Sequence, residues 1–321
     1  MSVTDDRVAI AIATYRRPDL LEQLLDSLIA AGYDSTSSVR VLVADNDPAG
    51  SAQPVVRRFS PALRIESEIE PRPGIAAARN RTLDLLTPDD DFVVFVDDDE
   101  EVPAGWLEAL LQAAEQLDVD VVGAPVVSVF PEATPAWMRQ EGLIQRRRRP
   151  TGRYEDFIAA TNNTLLSLAF WRAVGSPRFD DSFGLTGGSD TDFFTRLQLL
   201  GSRIAWCDEA PVSELVPADR ATPGWLLRRR IRGNNVSGRL RLREVSRARL
   251  ALDGLVRVGV GAAGLLVDVT VGRGPSAHHV NVLARGLGWL GAAFDVLVVE
   301  YKRPRLEPAP LDTVAGEEVG A

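Results

Sequence analysis

Cys207 is the only cysteine in 321 residues, so the chain can form no internal disulfide and has no CxxC-type metal site. Nothing in that count points to an oxidising compartment. Histidine is nearly as scarce: His278 and His279 are adjacent, with no other ligand types around them, and read as surface residues. Long apolar runs are missing too. The longest uncharged parts of the C-terminal third, 258–267 and 286–294, fall short of the ~18–20 residues that span a bilayer. The first seven residues carry Asp5 and Asp6 and no basic region followed by an apolar stretch, so a secretory leader is not expected. A net charge of −9 argues against general nucleic-acid binding, which rests on Lys and Arg neutralising phosphates. The expected address is the cytoplasm.

The 45% hydrophobic and 25% charged residues make an ordinary globular balance, and the length allows one large α/β domain or a domain plus an appendage. The charge is uneven. Between 228 and 249 nine arginines stand against one acid, Glu244, which predicts an anionic partner on one face.

In the first half, short apolar β-rich runs alternate with segments of helical period, the pattern of a mainly parallel sheet covered by helices. Strands are expected over 8–13, 39–44, 64–69, 92–96 and 119–123. Pro18 can open a helix whose apolar face is Leu20, Leu21, Leu24, Leu25 and Leu28, with Gly32 following its last turn. Further helices are expected after Pro73-Gly74 and from Pro103. Ligands of such sheets bind beyond the carboxyl ends of the strands, where polar clusters follow Ala13, Ala44 and Val96. From 162 to 207 the pattern is mixed, with a Gly/Ser/Asp-rich loop at 184–190 and a helical stretch over 193–200. Beyond Trp225 the arginine-rich run precedes apolar segments at 250–271 and 282–299.

Five consecutive acids, Asp97 to Glu101, follow the apolar run 92–96. One acid suffices to cap a helix, whereas five repel one another unless a cation lies between them. Mg²⁺ or Mn²⁺ takes hard oxygen ligands and keeps waters and substrate phosphates in its shell, so Asp97 and Asp99 plus a diphosphate would complete a site. A second cluster, Gly187-Gly188-Ser189-Asp190-Thr191-Asp192, can bring a carboxylate to a substrate hydroxyl as general base or cap the helix that follows. Arg79 can point toward a diphosphate or into water, and the run Arg146 to Arg149 can attract an anionic acceptor or form a mobile basic loop; on spacing alone the solvated reading is preferred for both. Trp137, Trp171, Trp206 and Trp225 are candidates for burial or for stacking on sugars.

Four ordered motifs together resemble the family 2 glycosyltransferases of the GT-A fold over about 8–235. They are Ala13-Thr14-Tyr15-Arg16-Arg17-Pro18, Val43-Ala44-Asp45-Asn46-Asp47, Gly74-Ile75-Ala76-Ala77-Ala78-Arg79-Asn80 and Val96-Asp97-Asp98-Asp99-Glu100. The resemblance implies that Thr14, Arg16 and Asp45 contact the nucleoside and that Arg79 approaches its diphosphate. Asp97, Asp98 and Asp99 would serve the donor and a divalent metal, Mn²⁺ or Mg²⁺. Asp190 would be the catalytic base, with Gly188 and Ser189 at the acceptor. The reaction implied is transfer of a sugar from a nucleoside diphosphate sugar to a glycan or polyprenyl-linked hydroxyl, with inversion. Two departures stand out. Ser189 occupies the place where the family usually has Glu, and a His common in the region 211–220 is missing, leaving Glu214 and Asp219 as the nearest candidates.

The stretch 214–220, the basic run and the apolar tail look like bacterial members that build exopolysaccharide or other cell-envelope glycans. That likeness implies a catalytic domain over 1–235, a basic and apolar helical region over 236–305 and a flexible tail over 306–321. The helical region would hold the enzyme at the inner face of the cytoplasmic membrane or pair two copies in a homodimer. The rival readings are a sugar-nucleotide nucleotidyltransferase, which would show a glycine-rich loop at the first strand, and a non-catalytic sugar-binding scaffold.

Overall fold

The computed structural model describes residues 6–34, 38–154, 159–183, 188–242 and 244–296. The expected loop residues 184–187, the end of the second apolar segment at 297–299 and the tail at 306–321 lie outside them. The first half runs β1 (Val8–Thr14), α1 (Pro18–Ala30), β2 (Val39–Asp45), α2 (Gln53–Phe59), β3 (Ile65–Ile69), α3 (Ile75–Asp84), β4 (Phe92–Asp97), β5 (Glu100–Glu101), α4 (Trp106–Leu117), β6 (Val121–Gly123) and β7 (Val126–Val129). There follow β8 (Gly152–Arg153), β9 (Thr164–Ser167), α5 (Leu168–Ala173), α6 (Ser189–Leu199), β10 (Ile204–Trp206), β11 (Val212–Leu215), α7 (Pro223–Arg241), α8 (Arg247–Thr270) and α9 (Ala277–Ala293).

The main sheet has the order β3-β2-β1-β4-β9-β6-β10-β8, with β3, β2, β1 and β4 parallel, as expected. Strands β1, β2 and β4 are buried on both faces, which is why they read as continuous apolar runs. Alternation still sorts their side chains. Val8, Ile10 and Ile12 pack with Leu21, Leu24, Leu25 and Leu28 of α1 and Trp106 of α4. Ala9 and Ala11 face Ala76 of α3 on the other side, where small residues bring the helix close. The β3 strand closes one edge, with Glu66 and Glu68 exposed on it.

Two elements, β9 and α6, and a second sheet depart from expectation. The β9 strand inserts antiparallel between β4 and β6, and a second, smaller sheet forms in the order β5-β11-β7. The helix expected over 193–200 begins four residues earlier, at Ser189, after Gly188 in the left-handed region. The α7 helix crosses position 235 unbroken and packs on α9.

Glycines set the spacing of α7, α8 and α9. A Cβ on Gly261 would lie 2.5 Å from the Leu283 backbone nitrogen, and one on Gly288 would lie 2.6 Å from the Ile231 carbonyl oxygen. His279, read from sequence as a surface residue, instead joins the two apolar helices through Nδ1, 2.8 Å from Asp268 Oδ2.

Candidate active site

The chain leaves β1 toward β2 on one side, while β4 lies on the other, so the sheet changes direction between β1 and β4. A crevice opens beyond their carboxyl ends. Register decides what lines it. Ala13 pairs with Asp97, so the next residues, Thr14 and Asp98, are neighbours, and the Thr14 hydroxyl donates to Asp98 Oδ2 at 2.7 Å. Thr14 also pairs with Asp45, which aligns three polar strand ends in one row.

The crevice is a cleft of about 540 Å³ lined by Asp97, Asp98, Asp99 and Glu214 and by seven arginines: Arg17, Arg79, Arg146, Arg220, Arg228, Arg229 and Arg232. Arg17 Nη1 lies 3.2 Å from both Asp98 Oδ1 and Asp99 Oδ2, and Arg220 Nη1 lies 3.8 Å from Asp99 Oδ2. Arg79 is held between Asp97 Oδ1 and Ser189 Oγ, each at 3.5 Å, over the Phe179 ring. Cations outnumber carboxylates, which suits a ligand with several negative charges.

Loss of hydration raises the pKa of Asp98 to about 6; Arg17 opposes this and Asp99 adds to it. Burial also raises Asp97 against the pull of Arg79, and raises Glu214, with Asp99 adding to both. Glu100 is pushed well up, by burial and then by Asp97, although its Oε2 accepts the Asp97 N–H at 3.0 Å. These carboxylates crowd one another in a desolvated spot, the electrostatic condition that a bound cation relieves. Among the described residues, no three His, Cys, Asp or Glu side chains stand together as a ready-made cation shell. Hard carboxylate oxygens suit Mg²⁺ or Mn²⁺, and Asp97 keeps 39% of its side chain open to the cleft. Of the two acids near the missing His, Glu214 lines the cleft, while Asp219 is exposed and outside its lining.

The residues expected to contact the nucleoside are placed less uniformly, and none of them is in the cleft lining. Arg16 has φ 54° and is 52% exposed, paired with Asp47 at 3.2 Å. Asp45 is fully buried, with its two oxygens accepting the Asp47 and Ala52 backbone N–H groups at 3.0 and 2.7 Å, and its pKa is raised chiefly by burial. It holds the loop after β2. Asn46, unassigned from sequence, ties that loop to α3: its Nδ2 donates to the Glu70 and Arg72 carbonyls and its Oδ1 accepts the Gly74 N–H at 3.1 Å.

A second cavity of about 430 Å³ shares Arg146 with the cleft and includes Asp190 in its wall. Asp192 is engaged by Arg196 at 2.8 Å one turn along α6, so of the two acids Asp190 is the one that faces open space. Gly188, φ 98°, makes the turn into α6, and Ser189 is buried beneath Arg79.

The sequence profile of glycosyl transferase family 2 matches residues 9–173. The succinoglycan biosynthesis protein ExoM of Rhizobium meliloti (strain 1021) is 38% identical over 235 residues, 73% of this chain and 74% of that protein. The chain belongs to glycosyl transferase family 2. The pre-mycofactocin glycosyltransferase of Mycobacterium tuberculosis (strain H37Rv) is 29% identical to this glycosyltransferase over 264 residues, 78% of the chain but 52% of that protein. In fold, the crystal structure of S. aureus TarS 1-349 in complex with UDP matches with TM-score 0.53 at 15% identity, covering 92% of this chain and 93% of that one.

Several residues that line the two cavities are not singled out by the preferred reading of the sequence. Arg146 to Arg149, expected to be solvated, divide their work: Arg146 enters the cleft, Arg147 and Arg149 line the second cavity, and Arg148 pairs with Asp208 at 2.8 Å. Arg228, Arg229 and Arg232, counted toward a membrane-facing run, line the cleft on one face of α7. Their i, i+1, i+4 spacing carried that signal.

Proposed function

We propose that the chain transfers a sugar, with inversion, from a nucleoside diphosphate sugar to a hydroxyl of a glycan or polyprenyl-linked acceptor in exopolysaccharide or cell-envelope synthesis. One observation carries the reading: the strand-end carboxylates and the arginines share a single cleft that adjoins a cavity walled by Asp190. The similarity to ExoM supports the polysaccharide context, and UDP is the first nucleotide to try because it is the one bound in the TarS structure.

Arg17, Arg79 and the α7 arginines would draw the diphosphate into the cleft. Arg16 at the rim would meet the base and ribose; Thr14 sets the position of Asp98, and Asp45 holds the bordering loop. Asp97 and Asp99, with Glu214 nearby, would hold Mg²⁺ or Mn²⁺, which would supply positive charge to neutralise the leaving diphosphate. Asp190 takes the proton of the acceptor hydroxyl as its oxygen bonds to the anomeric carbon, and the carbon–oxygen bond to phosphate breaks with its electrons leaving on the nucleoside diphosphate. Gly188 and Ser189 place the acceptor.

The α8 helix supports a place at the membrane. It has 24 residues and a mean hydropathy of 1.8 over its most apolar stretch, so it is long and apolar enough to cross a bilayer by length and composition. The uncharged runs measured from sequence understated it because the helix also includes Asp253, Arg257 and Asp268, which are turned off the exposed face. That face, through Leu252, Leu255, Val256, Val260, Leu266 and Val267, carries no charge. With exposed Arg247 and Arg249 at one end and Arg273 at the other, the helix suits the headgroup boundary of the cytoplasmic leaflet.

The test is release of nucleoside diphosphate from a panel of sugar nucleotides, with Mn²⁺ and with or without membrane extract. Asp190→Asn is expected to lower acceptor-dependent release by about 10²-fold or more with the fold retained. Full activity in that variant, or no release from any donor, would reject the assignment.

A further inference from the structure

The second cavity has a composition that the transfer reaction alone does not require. Arg146, Arg147 and Arg149 approach it from one loop, Trp206 and Asp190 form other parts of its wall, and Asn162 lines it while only 7% exposed. The Asn162 Nδ2 is buried and finds no hydrogen-bond acceptor among the described residues. A buried amide donor left without a partner is costly, and one at a cavity wall is satisfied by an oxygen brought in from outside. The neighbouring arginines set the charge of that oxygen. Arg148, in the same loop, pairs with Asp208 and anchors the loop, while Arg146, Arg147 and Arg149 line the cavity, Arg149 with its guanidinium over the Tyr154 ring.

We infer that this cavity is the acceptor subsite and that it selects a saccharide bearing an oxyanion, a carboxylate or a phosphate, which Arg147, Arg149 and the Asn162 amide bind. The inference rests on the glycosyltransferase reading and narrows its acceptor. Arg146 borders both compartments, and Asp190 lies near enough to the donor cleft for its charge to act on Asp97. A saccharide anchored by its anion at Arg147 and Arg149 therefore presents a hydroxyl beside Asp190 while the diphosphate occupies the other side of Arg146.

Binding to the full chain tests this without depending on turnover. Trigalacturonate, a neutral galactose trisaccharide and a disaccharide 1-diphosphate are titrated into protein with and without saturating UDP. Trigalacturonate or the disaccharide diphosphate should bind at least tenfold tighter than the neutral sugar, and whichever binds tighter identifies the source of the anion. Binding should persist with UDP present and fall at least tenfold in R147Q/R149Q and in N162A, with UDP affinity and thermal midpoint unchanged. R149K should retain most of it. Equal affinity for charged and neutral sugars, or displacement of the charged probe by UDP, overturns the inference. A chain that binds the anionic probes but releases no nucleoside diphosphate from any donor would instead count against the transferase assignment alone.

Discussion

Asp98 shows how a single residue in the cleft bears on the stability of the whole fold. Its pKa of about 6 is above the value of about 3.9 expected in an unfolded chain. The sign follows from proton binding: the folded form holds the proton more tightly, so the contribution to stability is complete below about pH 4 and is lost as pH rises through about 6. Ligand-free protein should therefore lose thermal stability across that window, and Asp98→Asn should flatten the loss in a melting series from pH 4 to 7. A steeper dependence in the variant would rule out the Asp98 carboxyl as its source. Asn163 is the structural counterpart. Held at φ 55° and fully buried, it donates to the Pro125 and Ala210 carbonyls at 2.8 and 2.7 Å and accepts the Trp106 indole N–H at 2.8 Å. Asn163→Ala strands three buried groups and should cost about 3 kcal/mol or more in urea unfolding. Nothing in the sequence marks it out from Asn162 beside it, because the distinction is made by which of the two side chains faces the cavity. The strand-end acids, by contrast, were legible, since position at the end of an apolar run is itself a sequence property.

At the scale of elements, legibility followed length. Strands β1, β2 and β4 and helices α1, α3 and α4 each carry enough periodic residues to declare themselves, and their ends fall within a few residues of expectation. The β5, β8 and β9 strands, of two to four residues, carry no period, and only pairing with partners far along the chain defines them. The start of α6 was hidden for another reason: Gly187 and Gly188 read as loop, yet Gly188 is the turn that begins the helix. Close packing among α7, α8 and α9 makes a further test. Gly261→Val would force a side chain into the Leu283 backbone, costing ~1–3 kcal/mol or more where the helices meet. Hydrogen exchange should accelerate in α8 and α9 while β1 and β4 stay protected; uniform acceleration across the chain would show that the helices do not open separately.

For the whole molecule, a net charge of −9 coexists with a cationic cleft and an uncharged α8 face. Flotation should be seen with anionic vesicles, weaken with salt, and fall sharply in L255E/V260E/V267E. Equal flotation of both forms rejects this face as the membrane contact, and a wild-type dimer that the variant converts to monomer would assign the face to a second copy. The basic run showed its charge in the sequence, but the division of its arginines between cleft and helical packing depends on how α7 turns. Arg230 directly follows the cleft arginine Arg229, yet it stands outside the cleft lining. Burial lowers its pKa to about 10, and its guanidinium donates to the Gly142 and Leu143 carbonyls.

The unbroken course of α7 has a practical consequence for anyone dissecting the chain. Its 19 residues roof the arginine-lined cleft at one end and are clasped by α9 at the other, where Gly288 admits the Ile231 carbonyl. A truncation at 235 would saw through that beam, leaving the guanidinium roof with nothing to rest on.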